Sequence, residues 1–253
     1  MSPSTPEKQP FEDAVAVVTG ATSGIGRAIA VMLAGAGCRV VATGRNPERL
    51  RGLADELGDA VHAVPLDMTD AGAIARLPES LPPRFARPSI LVNNAGEDVG
   101  GRTRFDASTA DELARVIEVN LTGVIRMTRA LVPAMLDRGQ GDIVNVGSTN
   151  AMRPTLHMAA YTGSKTGAHG FTDVLRADYA KLGIRVIEVV PGLTRTGFAQ
   201  ARMRGDGERA RSFFEQFPTS LAPEDVADAV RYALTRPRHV SVQQLVVTPS
   251  FQW

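Results

Sequence analysis

Tyr161 and Lys165 stand four residues apart, a spacing that on a helix puts both side chains on one face. A lysine ammonium beside a phenol favours the phenolate and lowers its pKa, giving a tyrosine able to exchange a proton near neutral pH. With three tyrosines and three lysines in 253 residues, that spacing arises by accident roughly 4% of the time on uniform composition. The lysine is also a pointed choice. All the other basic residues except Lys8 and Lys181 are arginines, and a guanidinium has too high a pKa to join a proton relay. Ser148, upstream of Tyr161, offers a hydroxyl to the same substrate oxygen.

A second constellation lies near the N-terminus, in the run Thr19-Gly20-Ala21-Thr22-Ser23-Gly24-Ile25-Gly26. Between a strand and a helix, such a turn lets backbone approach a pyrophosphate, with the free N–H groups of the helix start beyond it. Elsewhere in the chain it would be only a tight turn. Dinucleotide sites that take NAD usually carry an acid about 20 residues further on. Here the second strand runs instead into Gly44-Arg45-Asn46. A guanidinium suits a ribose 2′-phosphate, so Arg45 favours NADP over NAD, although a solvated arginine would look the same. Asp67 and Met68 after the third strand, and Asn93-Asn94-Ala95-Gly96 after the fourth, fall at strand ends where such sheets bind ligands. Asp67 could equally serve the start of the helix that follows.

These residues need a frame of alternating strands and helices. Short apolar runs at 15–19, 39–43, 61–65, 90–93, 142–146, 185–190 and 244–248 read as seven strands. Between them lies first a helix with Ile25, Ile29, Met32, Leu33 and Ala36 on one face, ended by Gly35 and Gly37. A second opens at Asn46-Pro47-Glu48 with an N-cap, a first-turn proline and an acid, and closes at Gly58. Further helices are expected over 70–77, 110–137, 158–182 and 223–235. The pattern predicts an α/β fold: one doubly wound Rossmann-type domain over 1–253, a seven-stranded parallel sheet with helices on both faces. Segment 194–218 fits no strand or long helix and reads as a substrate lid. Residues 1–13 read as a flexible N-terminal segment and 249–253 as a C-terminal tail.

Composition narrows the function class. With 28 basic and 27 acidic residues the net charge is +1, too balanced for a dedicated nucleic-acid binder. The single Cys38 supports neither a disulfide nor a thiolate metal site, and four scattered histidines indicate no metal centre. The polar, Pro-rich start is unlike a signal peptide, and no apolar run approaches the ~18 residues of a membrane span. The expectation is a cytoplasmic protein with no membrane partner.

Taken together, Thr19-Gly20-x-x-x-Gly24-x-Gly26, Asn93-Asn94-Ala95-Gly96, Asn120, Ser148, Tyr161-x-x-x-Lys165 and Pro191-Gly192 resemble the motif set of the short-chain dehydrogenase/reductase family, in order and across residues 14 to 248. The resemblance implies NADP(H) as cofactor and hydride transfer to or from a carbonyl carbon. It makes Tyr161 the general acid/base and Ser148 the group positioning the carbonyl. Lys165 would lower the tyrosine pKa and hold the nicotinamide ribose, and Asn120 would support a water on the proton path. Gly20, Thr22, Ser23, Gly24, Ile25, Gly26, Arg45, Asp67, Met68, Asn94, Ala95, Gly96, Pro191, Gly192, Thr194 and Thr196 would line the cofactor, with Thr196 at the nicotinamide carboxamide. Family members are commonly tetramers, so a homotetramer is implied.

The chain lacks the Gly-rich ending of many acyl-thioester reductases. Its own ending, Gly147-Ser148 and Arg204-Gly205-Asp206-Gly207-Glu208 resemble NADP-dependent 3-hydroxy acid (serine) dehydrogenases, and the ending also resembles clavulanate-pathway aldehyde reductases and sulfoacetaldehyde reductases. All of these favour small polar or anionic carbonyl compounds. For an anion, Arg195 is the first candidate cation and Arg153 the second, each equally readable as an exposed loop residue; His157 is a further candidate for the pocket wall. Glu97 and Asp98 would disfavour an anion unless they turn away. Phe251 and Trp253 suggest a tail packed on a neighbouring subunit. The alternatives are a 3-oxoacyl thioester reductase, a specialised-pathway ketone or aldehyde reductase and, outside enzymes, a non-catalytic NADP sensor.

Overall fold

A computed structural model describes residues 11–99 and 104–252. The N-terminal segment up to residue 10, the loop positions Gly100, Gly101, Arg102 and Thr103, and Trp253 lie outside the described residues. Seven strands form one sheet in which every pairing is parallel. They are β1 (Val15–Val18), β2 (Arg39–Gly44), β3 (Val61–Pro65), β4 (Ile90–Asn93), β5 (Gly141–Val146), β6 (Ile184–Pro191) and β7 (Gln244–Val247). Their order is β3-β2-β1-β4-β5-β6-β7, so the winding reverses between β1 and β4.

β1, β5 and β6 are buried along their whole length, as expected of strands covered on both faces, while the edge strands β3 and β7 are half-exposed. Successive residues of β1 serve opposite faces. Ala16 and Val18 join Ile29 and Leu33 of α1 (Gly24–Gly35), Leu50 and Leu53 of α2 (Pro47–Leu57), and Val226 and Val230 of α9 (Pro223–Leu234). Val15 and Val17 join Ile74 and Leu77 of α3 (Ala71–Ser80), Met127 and Leu131 of α5 (Gly123–Arg138), and Leu175 of α6 (Ala159–Tyr179). Helices cover both apolar faces and leave the carboxyl edge of the sheet open.

The local signals act where they were read. Asn46 caps α2 by accepting from the Arg49 amide at 2.9 Å, and Gly37 and Gly58 take positive φ of 88° and 58°. Three helices depart from the sequence reading. The stretch read as one helix over 110–137 is α4 (Ala110–Ile117), a π-helical turn at Glu118–Thr122, and then α5. Apolar periodicity continues through the turn, so the pattern hides the inserted residue. Helix α3 runs on to Ser80 past Pro78, where a proline costs only bonds of the last turn. Helix α6 stops at Tyr179 and a tight turn carries the chain to Gly183, whose φ is 78°.

Residues 194–218 stand outside the strands of the sheet and hold two short helices, α7 (Phe198–Arg202) and α8 (Gly207–Glu215). Asp206 caps α8 by accepting from the Arg209 amide at 2.9 Å. The tail does not dangle. Phe251 stacks on Phe217 at 5.7 Å, and the Gln252 side chain accepts from the Leu193 amide at 2.8 Å. The tail therefore packs on its own chain, with Phe251 still partly exposed.

Candidate active site

The carboxyl ends of β1, β2, β4, β5 and β6 open into one cavity of about 890 Å³. It is lined at one end by Gly20, Thr22, Ser23, Gly24 and Ile25, and at the other by Ser148, Tyr161 and Lys165. Glycine is needed at the first end. A Cβ on Gly26 would fall 2.3 Å from both the Gly20 carbonyl oxygen and the Asn94 side-chain nitrogen; one on Gly20, at φ 67°, would meet Ala95 at 2.9 Å. Thr19 fastens the turn to the end of β4: its hydroxyl accepts from the amides of Asn94 and Ala95, each at 3.0 Å. Asn94 in turn donates to the Thr19 carbonyl at 2.9 Å.

Ser23 caps α1 in extended conformation without a side-chain hydrogen bond, so the first amides of α1 are left to a ligand at the cavity floor. A glycine cradle against uncapped amides fits a pyrophosphate. Arg45, Asn46 and Arg49 line the adjoining rim, which fits a further phosphate, and the residues present therefore suit NADP. Arg45 is not idle. It pairs with Glu97 at 2.9 Å, and Arg115 bridges Glu97 and Asp67 at 3.0 and 3.1 Å. Burial pushes the Asp67 carboxyl up, but hydrogen bonds from Thr69 and the Arg115 guanidinium hold it below its ordinary value. The helix cap that Asp67 might have supplied belongs to Asp70, which accepts from Ala73 at 2.8 Å. Met68, Ala95, Gly96, Pro191, Gly192, Thr194 and Thr196 all line the same cavity.

At the other end Tyr161 and Lys165 share the buried face of α6, with Lys165 Nζ 5.9 Å from the phenol ring centre. The electrostatics differ from the sequence argument, which gave Lys165 the task of lowering the phenol pKa. Burial pushes Tyr161 up, and the groups opposing it are the Arg202 guanidinium and a hydrogen bond from Ser148. Lys165 donates to the Val146 carbonyl at 2.8 Å and is itself pushed down to about 8 by burial, with Glu188 acting against the fall. Asn120 sits in the π-turn. Its side chain donates to the Glu97 carbonyl at 2.8 Å and to Ser164 at 3.0 Å, and accepts from the Glu97 amide at 2.7 Å. Its amide group thus braces the loop after β4.

The substrate candidates fare differently. Arg153 lines the cavity. Arg195 does not: it is exposed, with its guanidinium 5.3 Å from the Phe214 ring centre. Its neighbour Thr194 bridges to Leu221, a pairing that carries residue 195 to the outer side. His157 is exposed too, at φ 62°, and lies outside the lining. The cation over the phenol is instead Arg202, at the end of α7, 5.5 Å from the Tyr161 ring centre and 5.0 Å from that of Phe198. It forms an ion pair at 2.7 Å with Asp98, whose carboxyl burial pushes up. Both acids feared for an anion are thus matched, Glu97 by Arg45 and Arg115, Asp98 by Arg202. The sequence held no signal for Arg202 beyond its place among the aromatics of segment 194–218. Asn46 and Arg49, on the first turn of a helix already placed after Arg45, were findable. Gln252 and Thr149, joined at 3.4 Å, complete the wall.

This arrangement is shared with known proteins. A family model described as short chain dehydrogenase matches residues 14–206. The chain is 39% identical over 241 residues to the NADP-dependent 3-hydroxy acid dehydrogenase YdfG of Salmonella typhi, covering 94% of this chain and 96% of that one. It is 38% identical over 241 residues to sulfoacetaldehyde reductase 2 of Chromohalobacter salexigens, covering 94% and 95%. Among solved structures, the closed form of serine dehydrogenase complexed with NADP+ superposes with a TM-score of 0.91 at 36% identity, over 94% of this chain and 96% of that one. A glycine cradle and a Ser-Tyr-Lys set on one parallel sheet, matched along most of the chain, make this protein a member of the short-chain dehydrogenase family.

Proposed function

We propose that this chain is an NADP(H)-dependent oxidoreductase that interconverts a small carbonyl compound and its alcohol, with short 3-hydroxy acids and their semialdehydes as the substrate class. The observation that carries the reading is the single cavity joining the glycine cradle to Tyr161, Ser148 and Lys165. The amides of α1 would hold the pyrophosphate, and Arg45 and Arg49 the 2′-phosphate. Bound there, NADP(H) supplies or accepts the hydride. In the reducing direction Tyr161 gives its phenol proton to the substrate oxygen, and in the oxidising direction it takes the proton back. Ser148 donates to that oxygen and fixes its place. Lys165 carries positive charge beneath the site, and Asn120 holds the loop that forms the cavity roof.

Arg202, paired with the phenol face and with Asp98, supports an acidic substrate: a guanidinium offers further donors to a carboxylate beyond those its partner occupies. The segment 194–218 acts as the lid. The balanced charge, the lone cysteine and the absence, among the described residues, of any helix long and apolar enough to cross a membrane support a cytoplasmic enzyme without nucleic-acid partners. The family resemblance supports a homotetramer.

The test is initial-rate NADPH oxidation with short semialdehydes, sulfoacetaldehyde, neutral aldehydes and an acetoacetyl thioester, for the natural chain and for Tyr161→Phe. The expected result is preference for short anionic aldehydes over the others and for NADPH over NADH. Tyr161→Phe should keep NADPH binding, followed by fluorescence, while turnover falls by about 10³-fold or more. Undiminished turnover in that variant would overturn the assignment of Tyr161, and activity confined to neutral carbonyls would overturn the acidic substrate.

A further inference from the structure

Tyr161, Lys165, His169 and Asp173 follow one another at four-residue steps along α6, a stripe of ionisable side chains running from the buried phenol to an exposed carboxylate. Facing it is Glu188, in the middle of β6, 1% exposed in an otherwise apolar part of the strand. A carboxylate keeps such a position only with partners. One oxygen of Glu188 lies 2.8 Å from Nδ1 of His169 and accepts from the Gln244 side chain at 2.7 Å. The other lies against Gly147, where a Cβ would come within 2.7 Å of it. The carbonyl of the preceding residue, Val146, accepts from the Lys165 ammonium at 2.8 Å. Ammonium and carboxylate thus bear on neighbouring residues of one strand end.

Few other charges face Lys165. Its own helix supplies Tyr161 and, one turn on, His169. The loop after β4 brings Gly96, where a Cβ would stand 3.9 Å from Nζ, and the π-turn brings Asn120, whose side-chain oxygen lies 3.5 Å from the same point; neither is charged. Arg202 and its partner Asp98 meet the phenol of Tyr161. Within β6 the acid is Glu188 alone.

We infer that Glu188 is a positioning residue for the proton-transfer pair: held by His169 and Gln244, its carboxylate is the countercharge that keeps the buried Lys165 an ammonium. The inference rests on the roles given above to Tyr161 and Lys165. Burial already drives Lys165 down to about 8, and Glu188 opposes that drift. Without the carboxylate the lysine would lose its proton close to neutral pH, and the positive charge below the site would go with it. The same contact explains the glycine before Ser148: a side chain at 147 would take the space of the Glu188 carboxylate.

The chain has three lysines, Lys8, Lys165 and Lys181, so NMR of the full protein with 13C at the lysine ε-carbon can follow each titration. Lys165 should titrate well below the ordinary lysine range in the natural chain. In Glu188→Gln its midpoint should fall by at least ~0.5 pH unit while Lys8 and Lys181 stay in place, and the basic limb of kcat/KM should move down with it. Glu188→Asp, which keeps the charge, should restore most of the shift. Should the glutamine variant fail to fold, Glu188→Leu with His169→Leu removes the buried carboxylate together with its imidazole partner and should give the same fall. An unmoved Lys165 midpoint, with or without loss of turnover, would overturn the inference by leaving Glu188 a packing residue. The lysine titration needs no substrate, so a chain inactive on every carbonyl would sink the proposed function while leaving this result readable.

Discussion

Arg202 and Asp98 show how much of the chemistry at Tyr161 is set by a pair remote in sequence. The guanidinium stands over the phenol and works against the burial that pushes its pKa up. Asp98 is 7% exposed, and without Arg202 it would be a buried charge held only by the Val99 amide. Arg202→Gln is therefore expected to cost about 3 kcal/mol of stability and to lower kcat/KM for short acidic aldehydes by about 100-fold, a transition-state loss near 2.7 kcal/mol. Neutral aldehydes should lose about tenfold or less, through the phenol alone. Adding Asp98→Asn removes the stranded charge, so the double variant should regain most of the stability and none of the discrimination. Thermal unfolding and rates on matched acidic and neutral aldehydes test this; equal losses on both substrates would refute the anion role. Tyr161, Lys165 and Ser148 were legible in the sequence because their types are scarce and their spacing chemical. Arg202 was not, since its sequence neighbourhood is full of arginines and only the turn after β6 decides which one faces inward. Arg195 was the natural choice by proximity to Pro191-Gly192, and the pairing of Thr194 with Leu221 turned it out.

The π-turn between α4 and α5 is the element that places Asn120. An unbroken α-helix would carry the residues after Glu118 to different angles and leave the loop after β4 unbraced. Gly123, at the exit of the turn, packs so closely that a Cβ would stand 2.7 Å from the Met68 carbonyl oxygen, which ties this element to the end of β3 as well. Asn120→Ala removes three hydrogen bonds, about 3 kcal/mol in all at ~1 kcal/mol each. It should lower kcat by about 10- to 100-fold while Tyr161 and Lys165 stay on their helix. The sharper readout is hydrogen exchange at the Glu97 amide, now donating to Asn120 at 2.7 Å. That amide should exchange faster in the variant, and unchanged protection would mean the bracing comes from elsewhere. Strands, caps and most helix ends were legible because periods of 2 and 3.6 and the capping residues act locally. The π-turn was not, because inserting one residue leaves Val116, Val119, Val124 and Met127 all apolar and the pattern apparently whole.

At the scale of the molecule, the alternation of strands and helices was enough to foresee a doubly wound sheet with its ligand site at the carboxyl edge. It could not foresee how the chain closes over that edge. The segment 194–218, proposed above as the lid, rises from the end of β6, reaches across to α4 through the pair of Arg204 with Glu112 at 2.5 Å, and returns to α9. The last residues then lock it from the far side. Gln252 accepts from the Leu193 amide at the lid's root and donates to Thr149 beyond β5, while Phe251 stacks on Phe217 of the lid. One side chain thus joins tail, lid and the loop carrying Ser148. Gly192 admits it: a Cβ there would fall 2.2 Å from the Gln252 oxygen. Losing this clasp should loosen the lid without touching the proton-transfer set. Gln252→Ala is therefore expected to raise KM for NADPH and for the carbonyl by about 3- to 10-fold, with kcat changed by about twofold or less. Limited proteolysis should cut within 194–218 faster in the variant, and NADPH should slow the cut in both proteins by holding the lid closed. A fall in kcat with KM unchanged would instead mean that Gln252 acts on the Ser148 loop, and equal proteolysis rates would show that the lid is held by its aromatic packing and not by the tail.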